Sequence, residues 1–214
     1  MSEIQNIRLN IIEVKLADSD DPIALKVSWD PAKSGGSNFQ SQKMVVSVEK
    51  VLIEKTNGAI LFALVFAVPG MIGVLVGAPY FFIDGKIGVG IFMIVWGILF
   101  GGVGILMLVS DKKITFDKLA GYYFRGKLYD TAKSKEREQQ GLLQDIYALQ
   151  LISERISSSS NNGSSSSYTS YEINLVFKDG GRANVMDHGK AEHVMDSAKQ
   201  LGKFLDVPIW KAEY

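Results

Sequence analysis

The chain has 214 residues, 23 Lys and Arg against 23 Asp and Glu, and no cysteine. Balanced charge without a basic cluster argues against nucleic acid as a partner, because phosphate affinity comes from massed Lys and Arg that release counterions. The absence of thiols excludes disulfides, thiolate zinc sites and a thiol nucleophile.

The N-terminal segment, residues 1–57, opens on Met-Ser-Glu-Ile-Gln. It has no basic stretch running directly into an apolar one, so no cleavable signal peptide is expected. Within it, residues 5–14, 24–29 and 42–54 are β-prone. Gly35-Gly36 is not a phosphate loop, since neither a following Lys-Ser/Thr nor a Gly-x-Gly-x-x-Gly frame is present.

Residues 58–110 are of another kind. Ala59 to Ile83 and Ile87 to Val109 carry no charged side chain and are separated only by Asp84-Gly85-Lys86. Each exceeds the ~20 apolar residues that cross a hydrocarbon core of about 30 Å. The expectation is a transmembrane helical hairpin, with the lipid bilayer as the first partner. Lys43, Lys50 and Lys55 precede the first run, and Lys112, Lys113, Lys118 and Arg125 follow the second, against Lys86 alone in the turn. The excess of Lys and Arg in the flanks places both termini in the cytoplasm.

Glycines are the informative residues inside these runs. Gly73 and Gly77 form one Gly-x-x-x-Gly pair, and Gly97 and Gly101 another. At ~1.5 Å per residue, Gly73 and Gly97 lie at equal depth from the turn. Small residues at this spacing let backbones approach where apolar burial gives no driving force, so these four glycines are read as helix-packing residues within the hairpin. Gly88, Gly90, Gly102 and Gly104 extend over more than one face and leave a surface for self-association or a protein partner. Pro69 should kink the first helix. No ionisable residue lies within either run, so a transport path has no mark and a pore would require oligomerisation.

Residues 111–214 read as a small α+β domain. Lys113 to Phe116 and Tyr122 to Gly126 form short strands about a glycine-containing turn. Residues 131–140 are charged and patternless, a solvated loop. Ile146 to Ile152 is a strand, and residues 157–170 read as a flexible, Ser-rich loop. In Tyr171 to Phe177, Tyr171, Ile173, Leu175 and Phe177 share one face and Glu172 and Asn174 the other, with Val176 breaking the alternation. Asp179-Gly180-Gly181 turns the chain into a strand over Arg182 to Met186. Ala191, Val194, Met195, Ala198, Leu201 and Leu205 fall at spacings of three and four, the apolar stripe of an amphipathic helix that Pro208 prevents from extending. Ile209-Trp210 is expected to tuck onto the core or touch the bilayer surface.

Short antiparallel strands closed by one C-terminal amphipathic helix resemble the pleckstrin-homology-like fold. The text Tyr171-Glu-Ile-Asn-Leu-Val-Phe-Lys-Asp-Gly-Gly-Arg182, then Asn184-Val-Met-Asp-His-Gly189 and Phe204-Leu-Asp-Val-Pro-Ile-Trp210, is similar to a group of bacterial membrane proteins in which one or two transmembrane helices carry such a domain. Trp29-Asp-Pro-Ala-Lys-Ser-Gly-Gly-Ser-Asn-Phe39 adds to the likeness. The resemblance specifies no catalytic residue. About five strands are visible after the membrane segment where the full fold has seven, and the β-prone N-terminal segments are the candidates to supply the rest.

Candidate chemistry is sparse, and no catalytic motif or cofactor site emerges. Asp187, His188, Glu192, His193 and Asp196 cluster at the start of the last helix, but the histidines are spaced for different faces of a helix and fit no zinc pattern. Asp187 or His188 is expected to cap that helix, with His193 exposed. Arg125, Arg182 and Trp210 are the candidate contacts for an anionic headgroup or a partner's carboxylate. The expected function is a membrane-held interaction or regulatory platform rather than an enzyme; the alternatives are an anionic-lipid headgroup sensor and a subunit of an oligomeric pore.

Overall fold

A computed structural model describes residues 14–16, 21–33, 35–36, 39–110, 112–131, 136–159 and 165–211. The chain divides into two compact units. One holds residues up to Gln40, Met44–Ile53 and Ile114 onward; the other holds Ser41–Lys43 and Glu54–Lys113.

The first unit is α+β. In chain order its strands are β1 (Val14–Leu16), β2 (Gln42–Val46), β3 (Lys50–Lys55), β4 (Ile114–Asp117), β5 (Tyr122–Arg125), β6 (Gln140–Leu142), β7 (Ile146–Ser159), β8 (Ser165–Phe177), β9 (Arg182–His188) and β10 (Ile209–Lys211). One sheet runs β2-β3-β4-β5-β6, and a second runs β1-β10-β7-β8-β9. The described ladders of the first sheet and the β7-β8-β9 part of the second are antiparallel, whereas β10 lies parallel to both β1 and β7. Val51, Ile53, Ile114, Phe116 and Tyr123 of the first sheet share one core with Leu149, Ile173, Leu175 and Phe177 of the second. Alternate residues of a strand point to one face, and in both sheets that face is the apolar one. Val194, Ala198, Leu201 and Phe204 of the helix Ala191–Leu205 close the same core. That helix stops at Asp206, which adopts the left-handed conformation (φ 57°) two residues before Pro208.

β-prone residues 42–54 supply β2 and β3, and β3 pairs with β4 in the register Ile53↔Ile114. The helical segment is therefore inserted between two neighbouring strands. Residues 24–29 are not a strand. The Asp21 carboxylate accepts the Ile23 and Ala24 amides at 2.8 and 3.2 Å, and the Val27 amide reaches the Ile23 carbonyl, which makes a helical turn. Gln140, placed by the sequence in a loop, pairs with Phe124 and opens β6. The β-prone residues 5–13 lie outside the described residues.

The Ser-rich stretch corrects a second expectation. Instead of a loop over 157–170, β7 continues to Ser159 and β8 starts at Ser165, with Ser157↔Ser167 and Ser159↔Ser165 in register. Residues 160–164 lie outside the described residues. Serine has no apolar side chain to mark a strand, but the backbone ladder needs none once the hydrophobic part of the hairpin has set the register. Replacing residues 158–166 by Asn-Gly, whose type I′ turn suits a two-residue hairpin, should leave the unfolding midpoint nearly unchanged, with a loss below ~1 kcal/mol, by thermal unfolding.

The second unit is built from helices. α1 (Asn57–Ile72) passes through a π-helical turn, Gly73–Gly77, into α2 (Ala78–Ile83), and α3 (Ile87–Ser110) returns after a turn at Asp84-Gly85. The helix Ala191–Leu205 of the first unit is α4. Two prolines lie in the first helical run: Pro69 within α1, which continues through it, and Pro79 at the start of α2. The π turn precedes Pro79, whose ring would collide with the Leu75 carbonyl in a regular helix and which has no N–H to offer it. Widening the turn moves the Ala78 amide onto the Gly73 carbonyl. Asn57–Ile83 and Ile87–Ser110 are long and apolar enough to cross a membrane, with mean hydropathies of 2.7 and 2.5. Only 22% and 17% of their most apolar windows are buried. A core helix of a water-soluble protein would hide most of such a surface.

Candidate functional site

The contact between α1 and α3 is made of small residues. Ala63, Ala67 and Gly70 are buried on α1, and Gly90, Gly97, Gly101 and Gly104 on α3. A Cβ on Gly70 would overlap the Gly101 backbone and stand 2.8 Å from the Gly97 carbonyl oxygen, and one on Gly104 would overlap Ala67. Gly97 and Gly101 therefore face Gly70. Gly73 is directed elsewhere: a Cβ on Gly73 would meet the Trp96 ring at 3.3 Å, and one on Gly77 would meet Met93 at 3.6 Å. Gly90 and Gly104, assigned to an outer surface by spacing, are inside the hairpin; Gly88 and Gly102 have open space around them.

Polar groups secure the ends of this unit. The Thr56 hydroxyl accepts the Ala59 amide at 3.1 Å, a side-chain N-cap for α1. The Lys55 ammonium donates to the carbonyls of Met107 and of Leu108, the latter at 2.7 Å. These carbonyls belong to the last turn of α3, where no intrahelical donor remains and positive charge is favoured. Neither Thr56 nor Lys55 stands out in the sequence by type, and only their position at the edge of the apolar runs signals them. Leu at Gly70 or Gly104 should lower accumulation of the chain, whereas Leu at Gly88 or Gly102 should leave it unchanged. With small-residue helix contacts worth ~0.6 to 2 kcal/mol each, partial loss is expected, and quantitative immunoblotting of all four variants reads it.

In the α+β unit the second face of the β7-β8-β9 sheet is covered by residues 21–36. Ala24 and Val27 pack with Ala148, Val176 and Trp210, which explains why Val176 breaks the alternation of its strand. Both faces of β8 are occupied. Beside this apolar patch lies a polar one. Glu172 and Asn174 are buried. The Glu172 carboxylate accepts the Ala32 amide at 2.7 Å, the Lys33 amide at 3.3 Å, the Asn174 side-chain amide at 2.9 Å and that of Asn184 at 3.2 Å. A buried carboxylate is stable only when its lone pairs are filled in this way. Sequence reading placed Glu172 on the polar face of a strand and had no signal for its role, because its backbone donors, Ala32 and Lys33, lie 140 and 139 residues away in the chain.

The three residues singled out as anion or partner contacts are engaged internally. The Arg125 guanidinium donates to the Asn184 carbonyl at 2.9 Å and the Glu138 carbonyl at 3.2 Å. Arg182 donates to the Asp30 carbonyl at 2.7 Å and to Gln150 Oε1 at 3.1 Å. Trp210 is 4% exposed, within β10 and against the Tyr147 ring.

Near the N-terminus of α4, His188 and His193 come together. His188 is on β9, so helical spacing does not govern the pair, and their ring centroids are 5.1 Å apart. His193 is exposed and His188 is buried. Neither Asp187 nor His188 is the N-cap residue, which is Lys190, but His188 Nδ1 accepts the Lys190 amide at 2.8 Å. A shallow cleft of about 290 Å³ opens beside this turn, between Leu151, Tyr171, Val194 and Met195, with Lys211 at its edge. Among the described residues, no group of three or more His, Cys, Asp or Glu side chains is arranged to hold a metal ion.

Replacing Glu172 by Ala would leave the buried Asn174 side-chain amide without its acceptor and should destabilise the chain by ~1 to 3 kcal/mol. Glu172→Gln, which keeps one carbonyl oxygen, should cost less, as judged by denaturant unfolding. No protein-family model, no curated protein and no solved structure matches this chain.

Proposed function

We propose that this chain is an integral membrane protein that crosses the bilayer as a helical hairpin and uses its α+β unit, of pleckstrin-homology-like design, as a cytoplasmic interaction or regulatory platform. The observation that carries the reading is the exposure of the two apolar helices: Leu61, Val65, Leu75, Val76, Ile98, Leu99 and Leu106 are all more than half exposed. In water this surface would be unfavourable by ~25 cal/mol per Å², whereas lipid chains match it. Lys112 and Lys113 after α3 and the single Lys86 in the turn favour a cytoplasmic position for both flanks.

The engagement of Arg125 and Arg182 with backbone carbonyls counts against their use as a headgroup site. A pore is disfavoured because no ionisable side chain lies between Ala59 and Ile83 or between Ile87 and Val109.

The cysteine-free sequence makes the test direct. Single cysteines at Ser47, Gly85 and Lys199 are labelled in sealed vesicles with a membrane-impermeant maleimide. Gly85→Cys should react only from the side opposite to Ser47→Cys and Lys199→Cys. Labelling of all three from one side would overturn the hairpin topology. The platform reading is tested separately by cross-linking in cells with identification of the captured protein, and salt-sensitive binding to anionic vesicles without a protein partner would favour the sensor instead.

A further inference from the structure

His188 is held in one protonation state by its surroundings. Its Nδ1 accepts the Lys190 amide at 2.8 Å, so the ring proton resides on Nε2, and that atom is buried with no hydrogen-bond partner among the described residues. A second proton would have to enter at Nδ1, where it would face the Lys190 N–H donor to donor. The charges around the ring reinforce this. His193 on α4 and Lys190 in the corner both act against a positive imidazole, as does the N-terminal end of α4. The residue opposite on β8 is Tyr171. The neighbouring carboxylate, Asp187, accepts the Asn184 amide at 2.9 Å and pairs with Lys33 at 3.5 Å.

We propose that the corner between β9 and α4 is a proton-operated latch: neutral His188 fastens Lys190 and the first turn of α4 to the sheet, and protonation of His188 releases them. Ala191, Val194 and Met195 line the cleft beside β7 and β8, so release reshapes a face of α4 that borders an apolar opening. Burial first, then His193 and Lys190, hold the His188 pKa below the usual histidine value of 6.5. With the folded-state value depressed, the latch contributes its full stability above about pH 6.5 and loses it as pH falls through the lower folded-state value.

The test uses the full chain in lipid nanodiscs, with amide hydrogen exchange read as protection factors between about pH 7.5 and 5. Protection of residues 190–195 should fall by up to about tenfold per pH unit in the acid range, the limit for one proton, while that of β8 stays constant. In His188→Gln the side-chain oxygen still accepts the Lys190 amide but does not titrate, and protection should become independent of pH. His193→Gln removes a repelling charge and should move the release to higher pH. Constant protection in the parent chain, or the same pH dependence in His188→Gln, would overturn the latch; should His188→Gln fail to fold, an unmoved release in His193→Gln would do so.

Discussion

The pairing of β3 with β4 is the contact on which the architecture depends. Four residue pairs, from Lys50↔Asp117 to Ile53↔Ile114, join strands whose connection is the entire helical hairpin. Closing a flexible loop of that length would be a slow search, yet the entropy penalty rises only by ~0.6 kcal/mol per doubling of loop length. A preformed hairpin brings its two ends together at one side and reduces the search further. The ladder ends in an ion pair, Lys50 to Asp117 at 2.8 Å, and the hydrogen bond from Lys50 holds the Asp117 carboxyl below its usual range. Val51, Ile53, Ile114 and Phe116 then supply one wall of the core, each at most 1% exposed.

A second constraint is that β8 has no free face. Its inner side chains meet the main core, and its outer ones meet the segment 21–36 through one apolar patch and one carboxylate. Glu172 does for the backbone amides of residues 32 and 33 what a neighbouring strand would do for a ladder: it supplies acceptors that water no longer reaches. The arrangement explains why Asn174, Asn184 and Gln150, polar residues in strands, sit inside the protein. The Gln150 amide donates to the Ser28 carbonyl at 2.9 Å while its oxygen accepts from Arg182, so both ends of the side chain are satisfied.

Within the helical unit the close contact is made by small residues instead of polar partners. Apolar side chains point outward over most of both helices, and the interface belongs to Gly70, Gly97, Gly101, Gly104, Ala63 and Ala67. Backbones in contact gain dispersion energy over many atoms. Lys55 and Thr56 finish the unit by filling carbonyls and an amide that the helices cannot fill themselves.

The sequence by itself determined the two apolar helices, their turn, the amphipathic α4 and the strands from β4 to β9 with the exception of β6, because each is written in a local period of side chains or in a turn signal. Gly97 and Gly101 were legible as close-approach residues for the same reason. Tertiary structure decided the rest. It selected Gly70 rather than Gly73 as their opposite, since the packing of α1 on α3, and not depth counted from the turn, decides which backbones meet. It made a ribbon of the serines, whose ladder is held by backbone bonds that composition does not reveal. It took Glu172, Arg125 and Arg182 inward, onto partners far away in the chain, and it set His188 beside His193 by ending a strand where spacing alone assumed a helix. A local pattern reports which face of an element is apolar; only the packing of distant segments decides which polar groups lose water, and those groups then require partners.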